Sequence, residues 1–163
     1  MQQQLLKIMA VHFIKKGNIF KLTGINNYAH GCNCAGAMGK GIALQFKRMF
    51  PDMFSTYHRL CLDNKFKPGD VYDYIYGFNY HVYNLGTQEH YSIPGKLAKP
   101  KYIQASLQKM LELASSSNVT DIALPKIGAG LGGLDWNTVK NIILEVSESQ
   151  PEINLYVVEE FVP

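Results

Sequence analysis

The stretch HGCNCAGAMGKGIALQF, residues 30–46, leads from the end of a strand through a glycine-rich loop into a helix. Apolar residues recur at helical spacing from Gly39 onward until Pro51, which predicts that the helix ends there. Pro51 is itself a favourable first residue for a second helix. A glycine-rich loop that opens a helix exposes backbone N–H groups and the positive end of the helix dipole, an arrangement that suits phosphate.

A second loop of the same kind lies nearer the end of the chain. The sequence DIALPKI predicts a short buried strand, and KIGAGLGGLDW, residues 126–136, continues it into another amphipathic helix. Strands alternate with helices along the chain, which predicts an α/β fold with helices on both faces of a largely parallel or mixed sheet. Because ligands bind at the carboxyl ends of such strands, two glycine loops there could hold a diphosphate between them.

The remaining elements follow from hydrophobic periodicity. We predict strands over KIMAVHFIKK, residues 7–16, and around residues 27–31, a hairpin made of GDVYDYIY and YHVYNLG, and a final strand in INLYVVEEF. A further helix of about four turns carries the apolar stripe between residues 103 and 114. A chain of 163 residues has the size of one domain, which we predict to span residues 1–163.

Charge and cysteine content narrow the classes of function. The net charge of +3 suits an anionic ligand but is too small to indicate a nucleic-acid surface by itself. Three cysteines, an odd number, argue against a disulfide framework and favour a reducing compartment. The first 18 residues lack the pattern of a signal peptide, and no apolar run is long enough for a membrane span. We therefore expect a cytoplasmic protein that does not enter a membrane.

Two familiar nucleotide-binding motifs do not fit the glycine loops. A P-loop would need Ser or Thr where Gly41 stands and a glycine where Cys34 stands. The second loop matches G-x-G-x-x-G from Gly128 onward, yet only one strand follows it, whereas a dinucleotide fold needs several more. The sequence therefore argues against both a P-loop protein and a Rossmann dehydrogenase.

Taken together, the two loops resemble a known family. HGCNCAGAMGKGIALQFKRMFP with ALPKIGAGLGGLDW is similar to the macrodomain, an ADP-ribose-binding module. The similarity is greatest to the branch of ADP-ribose 1″-phosphate phosphatases and of terminal and DNA ADP-ribose glycohydrolases. It covers nearly the whole chain and implies a three-layer sandwich, with a mixed, mostly parallel sheet between helices. The implied partners are ADP-ribose or a derivative, and ADP-ribosylated protein or DNA; we expect a monomer without a cofactor.

The resemblance assigns roles to individual positions. Gly17-Asn18-Ile19 falls where the family has Gly-Asp-Ile, whose acidic side chain accepts from the adenine amino group. Asn18 departs from that pattern, although its amide oxygen can also accept. Asn33 stands at the position that faces the distal ribose, and NLGTQEHY at the strand end that lines its pocket. The expected ligand-binding residues are Asn18, Ile19, Asn33, Gly39, Lys40, Gly41, Ile42, Thr87, Gln88, Gly128, Ala129, Gly130, Leu131 and Gly132.

The sequence indicates the residues that bind ADP-ribose more clearly than it indicates the residues that catalyse a reaction. The glycohydrolase branch uses a lysine just after that strand, sometimes with an aspartate in the second loop, whereas this chain has Gln88 and Gly132 there. Glutamine cannot supply the amine of a covalent lysine mechanism. We expect Asn33, with His30 or His90, to position and activate water, because imidazole can change charge near neutral pH. The alternatives are an inward His30 bonded to the backbone and a solvated His90.

Other polar residues near the loops have simpler interpretations. Asp135 fits the N-cap of the last helix better than a catalytic role. Cys32 and Cys34 with His30 suggest a metal, but a zinc site generally takes four ligands and only Cys61 remains. A thiol nucleophile near a helix start is conceivable because its pKa would be lowered there. We favour cysteines that are buried beside a ligand loop, and we expect no metal.

Three functions are compatible with these residues. The HGCNCAG match and the absent lysine favour a hydrolase that removes the 1″-phosphate from ADP-ribose 1″-phosphate. A reader that binds ADP-ribose without turnover would also lack the lysine and the aspartate. De-ADP-ribosylation of carboxylates or DNA without the lysine is the third, since the GLGGLDW form of the loop also occurs in DNA-directed antitoxin macrodomains.

Overall fold

Strands and helices alternate along residues 10–163, the part of the chain that this computed structural model describes. The strands are β1 (Val11–Ile14), β2 (Tyr28–Asn33), β3 (Val71–Tyr76), β4 (Tyr80–Gln88), β5 (Asp121–Pro125) and β6 (Asn154–Val158). The α-helices are α1 (Gly41–Met49), α2 (Pro51–Leu62), α3 (Pro100–Ser116) and α4 (Trp136–Ser147), and a short 3-10 helix (Ile19–Lys21) follows β1.

The six described strands form one sheet in the order β1-β6-β5-β2-β4-β3. Neighbouring strands are parallel except β3 and β4, which form the predicted hairpin. Tyr28 of β2 pairs with Val82 of β4 on one side and Ala123 of β5 on the other, so β2 lies inside the sheet. The carboxyl ends of β5, β2 and β4 are therefore neighbours.

Each face of the sheet has its own apolar core. On one face, Leu107 of α3 and Ile143 of α4 share a cluster with Leu85 of β4. On the other face, Phe46 of α1 shares a cluster with Val82, the strand residue that points the opposite way. Burial of each such side chain contributes roughly 1.5–3 kcal/mol. The helix, sheet and helix layers confirm the predicted sandwich.

The predicted elements are observed with shifted bounds. The strand expected over residues 7–16 is observed as β1. Residues 7–9 of that prediction lie outside the described residues. The same holds for residues 1–9 of the first 18 residues, which were the segment compared with a signal peptide. Pro51 separates two helices and is the first residue of α2, as expected. The single domain over residues 1–163 stays a prediction. Within residues 10–163, no helix is long and apolar enough to cross a membrane.

The chain leaves two neighbouring strands toward opposite faces of the sheet. From β2 it enters α1, which packs on one face, and from β5 it enters α4, which packs on the other. Adjacent parallel strands whose connections diverge in this way leave a crevice between their loops. Both glycine loops lie at this crevice.

Candidate active site

The two glycine loops touch each other. The first, residues 34–40, joins β2 to α1, and the second, residues 126–135, joins β5 to α4. A Cβ atom placed on Gly41 would lie 3.7 Å from the Cδ1 atom of Leu131, so the start of α1 meets the tip of the second loop. Leu131 remains 66% exposed, so this contact is open to a ligand. The space between the loops, at the carboxyl ends of the adjacent strands β2 and β5, is here called the cleft, and its role as a ligand site stays a prediction.

Two glycines are required by the shape of this cleft. Gly41, the first residue of α1, has φ of 59°, in the region that side chains other than glycine rarely adopt. Gly128 has φ of 72°, and a Cβ atom there would collide with the side chain of Ile103. The loop conformation therefore depends on glycine at both positions.

Gly132 stands at the position where, by the resemblance, the glycohydrolase branch sometimes has an aspartate. A Cβ atom on Gly132 would lie 2.7 Å from the carbonyl oxygen of Gly128 and 2.9 Å from the Cβ atom of Ala98. A backbone oxygen cannot move aside as a flexible side chain can. This form of the loop therefore has no room for a side chain at residue 132.

The two helices that start at the cleft differ in whether a side chain accepts hydrogen bonds from the free backbone N–H groups of the first turn. α1 has Lys40 as its N-cap residue, with no side-chain cap and no acidic residue in its first turn. α4 is capped by Asp135, whose carboxylate accepts from the Thr138 amide at 3.2 Å. The predicted N-cap role of Asp135 is thereby confirmed. The dipole of α1 is the one left available for an anion.

Asn33 shapes the first loop. Its Oδ1 atom accepts from the amides of Ala35 at 3.0 Å and Ala37 at 3.2 Å, and its Nδ2 donates to the Ala37 carbonyl at 2.7 Å. Oδ1 also accepts from the Tyr57 hydroxyl at 2.9 Å. An amide with these four bonds is committed to the backbone around it. The contacts show that Asn33 shapes the loop; they leave its second Nδ2 hydrogen unused, and its expected roles toward water and the distal ribose stay predictions.

The fold and the loops match those of known proteins. The Macro domain family model matches residues 29–143, which include both glycine loops. This chain belongs to the macrodomain family. The solved macrodomain of Mycobacterium tuberculosis DarG superposes on it with a TM-score of 0.82 at 28% sequence identity, covering 94% of this chain and 97% of that chain.

Curated relatives carry functional names. The macrodomain is 36% identical over 125 residues to the DNA ADP-ribosyl glycohydrolase of Mycobacterium tuberculosis, covering 75% of this chain and 35% of the relative. It is 32% identical over 136 residues to the human ADP-ribose glycohydrolase OARD1, covering 82% of each. The ADP-ribose 1″-phosphate phosphatase of Meyerozyma guilliermondii is 23% identical over 88% of this chain. The macrodomain spans about a third of the length of the bacterial relative.

His30 lies inside the macrodomain rather than in the cleft. It is fully buried, and its ring stacks on Phe46 with centroids 4.0 Å apart. Its Nε2 donates to Oδ1 of Asn84 at 2.6 Å, since the Asn84 amide nitrogen is used as a donor elsewhere. Burial lowers the pKa of His30 to about 4, and the Asn84 bond offsets only part of this. The expectation that His30 activates water does not fit this placement; the inward alternative does, with a side chain as partner instead of the backbone.

Gln88 and His90 lie where β4 ends. Gln88 is nearly buried, and its Nε2 donates to the His90 carbonyl at 2.9 Å. The His90 ring stacks on Tyr91 with centroids 4.1 Å apart, and its Nδ1 accepts from the Ser92 amide at 3.1 Å. With Nδ1 used as an acceptor, the neutral ring carries its proton on Nε2. His90 can therefore offer a ligand an N–H donor, and it is half-buried rather than fully solvated.

Asn18 follows β1, at the side of the site expected to hold adenine. Its Oδ1 accepts from the amide of Phe20 at 2.9 Å, which caps the short 3-10 helix. Ile19 is buried in the core beneath it. One lone pair of the Asn18 oxygen remains for an amino group, so its predicted role as an acceptor stays a prediction.

The other predicted ligand residues fall into an accessible and an inaccessible set. Thr87 is buried, packs against Gly31, and its hydroxyl donates to the Cys32 carbonyl at 3.4 Å, so its side chain supports the sheet. The remaining positions lie on the two loops or in the first turn of α1 and are exposed or half-buried: Gly39, Lys40, Ile42, Ala129 and Gly130.

The three cysteines lie in buried or half-buried surroundings that favour a structural role. Cys32 is buried, and Cys34 and Cys61 are half-buried free thiols. Burial raises the pKa of Cys34 to about 12 and that of Cys32 well above its usual value, so both stay protonated and weakly nucleophilic. Among the described residues, no three His, Cys, Asp or Glu side chains are grouped to hold a metal ion.

Two residues of α2 that the sequence did not single out hold the first loop from behind. The Tyr57 hydroxyl lies 2.8 Å from the Asn33 carbonyl oxygen, and Nδ1 of His58 donates to the Gly36 carbonyl at 2.9 Å. A tyrosine in an otherwise apolar helical stripe was the available signal, because a buried hydroxyl usually needs a partner. Its partner is a loop residue from another element, which periodicity does not identify.

Two surface cavities lie outside the cleft. One, of about 520 Å³, lies between the end of α2, β3 and the second half of α3, where Asp70 and Lys109 form an ion pair at 3.2 Å. The other, of about 510 Å³, lies along α2 and includes His58. Neither is lined by a glycine loop, and the first mixes acidic with basic side chains. The open cleft is the better anion site because it combines backbone donors with a helix N-terminus.

Proposed function

We propose that the cleft between the two glycine loops binds ADP-ribose and that the macrodomain hydrolyses a bond at the 1″ carbon of an ADP-ribosyl group. The observation that carries this proposal is the contact between the start of α1 and Leu131, since it brings both loops to one site. Two loops of backbone donors on adjacent strands suit a diphosphate, which presents two anionic groups in succession.

The electrostatics of the cleft support an anionic ligand. The first turn of α1 carries no acidic side chain, and Lys40 lies exposed at its N-cap. A helix N-terminus stabilises a nearby anion by roughly 0.3–1 kcal/mol, and by up to about 2 kcal/mol where it is partly buried. The net charge of +3 acts in the same direction.

Removal of ADP-ribose from DNA or protein is the reaction we favour. Two relatives above 30% identity, from Mycobacterium tuberculosis and human, are both named as glycohydrolases of ADP-ribosyl groups. Because Gln88 offers no amine, water is the nucleophile: its oxygen bonds to the anomeric carbon, the bond to the leaving group breaks, and the proton lost by water ends on the leaving group. The Nε2–H of His90, beside the end of β4, is assigned as a hydrogen-bond donor that stabilises the leaving group and keeps its own proton, while the proton on the leaving group comes from water.

A second candidate is phosphate release from ADP-ribose 1″-phosphate. It is favoured by the HGCNCAG stretch and by the phosphatase relative, which the chain matches over 88% of its length. It loses support from His30, because that imidazole is buried and neutral.

A panel of substrates separates these activities. Isothermal titration with ADP-ribose tests binding; absence of binding would refute the proposal in every form. Release of ADP-ribose from an ADP-ribosylated oligonucleotide or glutamate peptide is the expected activity, and it should fall in the His90→Ala variant. Phosphate release alone would establish the second candidate. Tight binding without release from any substrate would show a reader.

A further inference from the structure

We propose that Tyr57 is a positioning residue for the first glycine loop, acting through Asn33 to set the conformation that receives the phosphates and distal ribose. The inference rests on the proposed function, because it assumes that this loop contacts the ligand. Tyr57 lies in α2, behind the loop, and has no part in the cleft surface.

The hydroxyl of Tyr57 lies among three acceptors. The carbonyl oxygen of Asn33 is 2.8 Å away, Oδ1 of Asn33 is 2.9 Å away, and the carbonyl oxygen of Ala37 is 3.4 Å away. The Tyr57 ring is fully buried and packs edge-on against Phe66 with centroids 5.7 Å apart. One donor from a fixed ring therefore anchors both ends of the turn at residues 33–37 to the core.

The side-chain amide of Asn33 connects the Tyr57 hydroxyl to the backbone of the turn at residues 33–37. Its amide accepts from the Ala35 and Ala37 backbone N–H groups and donates to the Ala37 carbonyl. Since Oδ1 already receives two backbone donors, the Tyr57 hydroxyl fixes the amide against rotation about its last torsion. Apart from Met38, whose side chain is buried in the core, the loop has few side-chain contacts of its own, so this amide is a main determinant of the turn at residues 33–37.

The adjacent residue of α2 continues the same function. Nδ1 of His58 donates to the Gly36 carbonyl oxygen at 2.9 Å. The carbonyl oxygens of Asn33 and Gly36 thus face donors on α2, and that of Ala37 accepts from the Asn33 amide and lies 3.4 Å from the same Tyr57 hydroxyl. A carbonyl oxygen is the negative end of the peptide dipole, and one turned into the cleft would repel phosphate. Drawing these oxygens toward α2 keeps the cleft electropositive.

The raised pKa of Tyr57 keeps its hydroxyl protonated, so that it can donate a hydrogen bond to the loop. Burial, followed by the nearby thiols, raises the pKa of Tyr57 well above its usual range. The hydroxyl therefore keeps its proton near neutral pH, where it acts as a donor to the loop.

The chain offers a matched control for this hydroxyl. Tyr83 is also a fully buried tyrosine, on the opposite face of the sheet. Its hydroxyl has no hydrogen-bond partner among residues 10–163. Tyr57→Phe and Tyr83→Phe each remove one buried oxygen atom, but only the first removes a bond to the loop.

Titrations with ADP-ribose and with adenosine, which has neither phosphate nor distal ribose, test the inference. We expect Tyr57→Phe to weaken ADP-ribose binding roughly tenfold, as loss of a buried hydrogen bond would, and to leave adenosine binding unchanged. Tyr83→Phe should match the wild type with both ligands. His58→Ala, which changes an exposed side chain, should weaken ADP-ribose binding less and serves if Tyr57→Phe does not fold.

Other results of these titrations separate a failure of the Tyr57 inference from a failure of the proposed ADP-ribose binding. Wild-type affinity for ADP-ribose in Tyr57→Phe would overturn the inference, and so would equal weakening of both ligands, which indicates a general structural defect. If the wild type does not bind ADP-ribose, the proposed function fails. Amide hydrogen exchange of residues 34–40 then decides the inference separately: faster exchange in Tyr57→Phe supports positioning, and unchanged exchange overturns it.

Discussion

His30 makes the stability of the macrodomain dependent on pH. Its pKa is 6.5 as an unperturbed group and about 4 in the folded protein, where burial disfavours the charged ring. Between these values the unfolded chain binds the proton and the folded protein does not. Stability is therefore undiminished above pH 6.5 and falls as the pH is lowered toward 4, by about 2 kcal/mol at pH 5 for this group alone. Denaturant unfolding at pH 7 and pH 5 measures the fall.

The His30→Gln variant isolates this effect from other titrating groups. Its absolute stability at pH 7 is not the readout, because the substitution also disturbs the stacking on Phe46. We expect the loss of stability between pH 7 and pH 5 to be smaller in the variant than in the wild type by the amount assigned to His30. An equal loss in both proteins would contradict a buried neutral imidazole.

The second glycine loop provides a paired test at single positions. Gly132→Ala places a Cβ atom 2.7 Å from the Gly128 carbonyl oxygen, whereas Gly130→Ala has open space around it. We expect the first substitution to cost roughly 1–3 kcal/mol of unfolding free energy and to weaken ADP-ribose binding. Gly130→Ala should be neutral or slightly stabilising, because φ there is not positive and the unfolded chain loses freedom. Equal effects at the two positions would show that the loop adapts to a side chain.

At the level of elements, the two helix N-termini should have separate functions. Asp135 caps α4 by accepting from the Thr138 amide, so Asp135→Ala should lower the unfolding free energy by about 1 kcal/mol. Because the proposed function places the anion at the uncapped start of α1, it predicts that turnover and ADP-ribose affinity do not change. Asp135→Asn keeps the acceptor and should recover most of the stability. Loss of turnover in Asp135→Asn with stability intact would instead point to a catalytic carboxylate.

The elements are also the level at which the sequence was most informative. Helical spacing, Pro51 and the glycine loops predicted α1, α2 and both phosphate loops, because these signals are local. Which of the two cores the His30 ring enters depends on which face each residue of β2 presents, and a single shift of register would move the ring to the other core. The bond from Tyr57 to Asn33 joins residues 24 positions apart through a helix crossing that periodicity does not specify. Local chemistry was therefore predictable, and an inward His30 was among the predicted alternatives, whereas its Asn84 partner and the bond between Asn33 and Tyr57 were not predicted.

At the level of the whole molecule, the cleft connects two cores that the sheet separates. The first loop belongs to the face covered by α1 and α2, and the second to the face covered by α3 and α4. Gly41 and Leu131 are the points where the two sides meet at the carboxyl end of the sheet. A ligand held by both loops would add contacts between the two sides beyond the approach of Leu131 to Gly41. Such a ligand should stabilise the fold as a unit.

Thermal unfolding with ligand tests that expectation. A ligand that binds only the folded state adds about 2.7 kcal/mol at about 100 times its Kd. For a chain of 163 residues, that corresponds to a rise in Tm of roughly 5–10 °C. Adenosine at the same concentration should raise Tm much less, because it engages neither phosphate loop. A rise in Tm that is equal for adenosine and ADP-ribose would place the binding energy at the adenine side near Asn18, and the two loops would then contribute no net affinity.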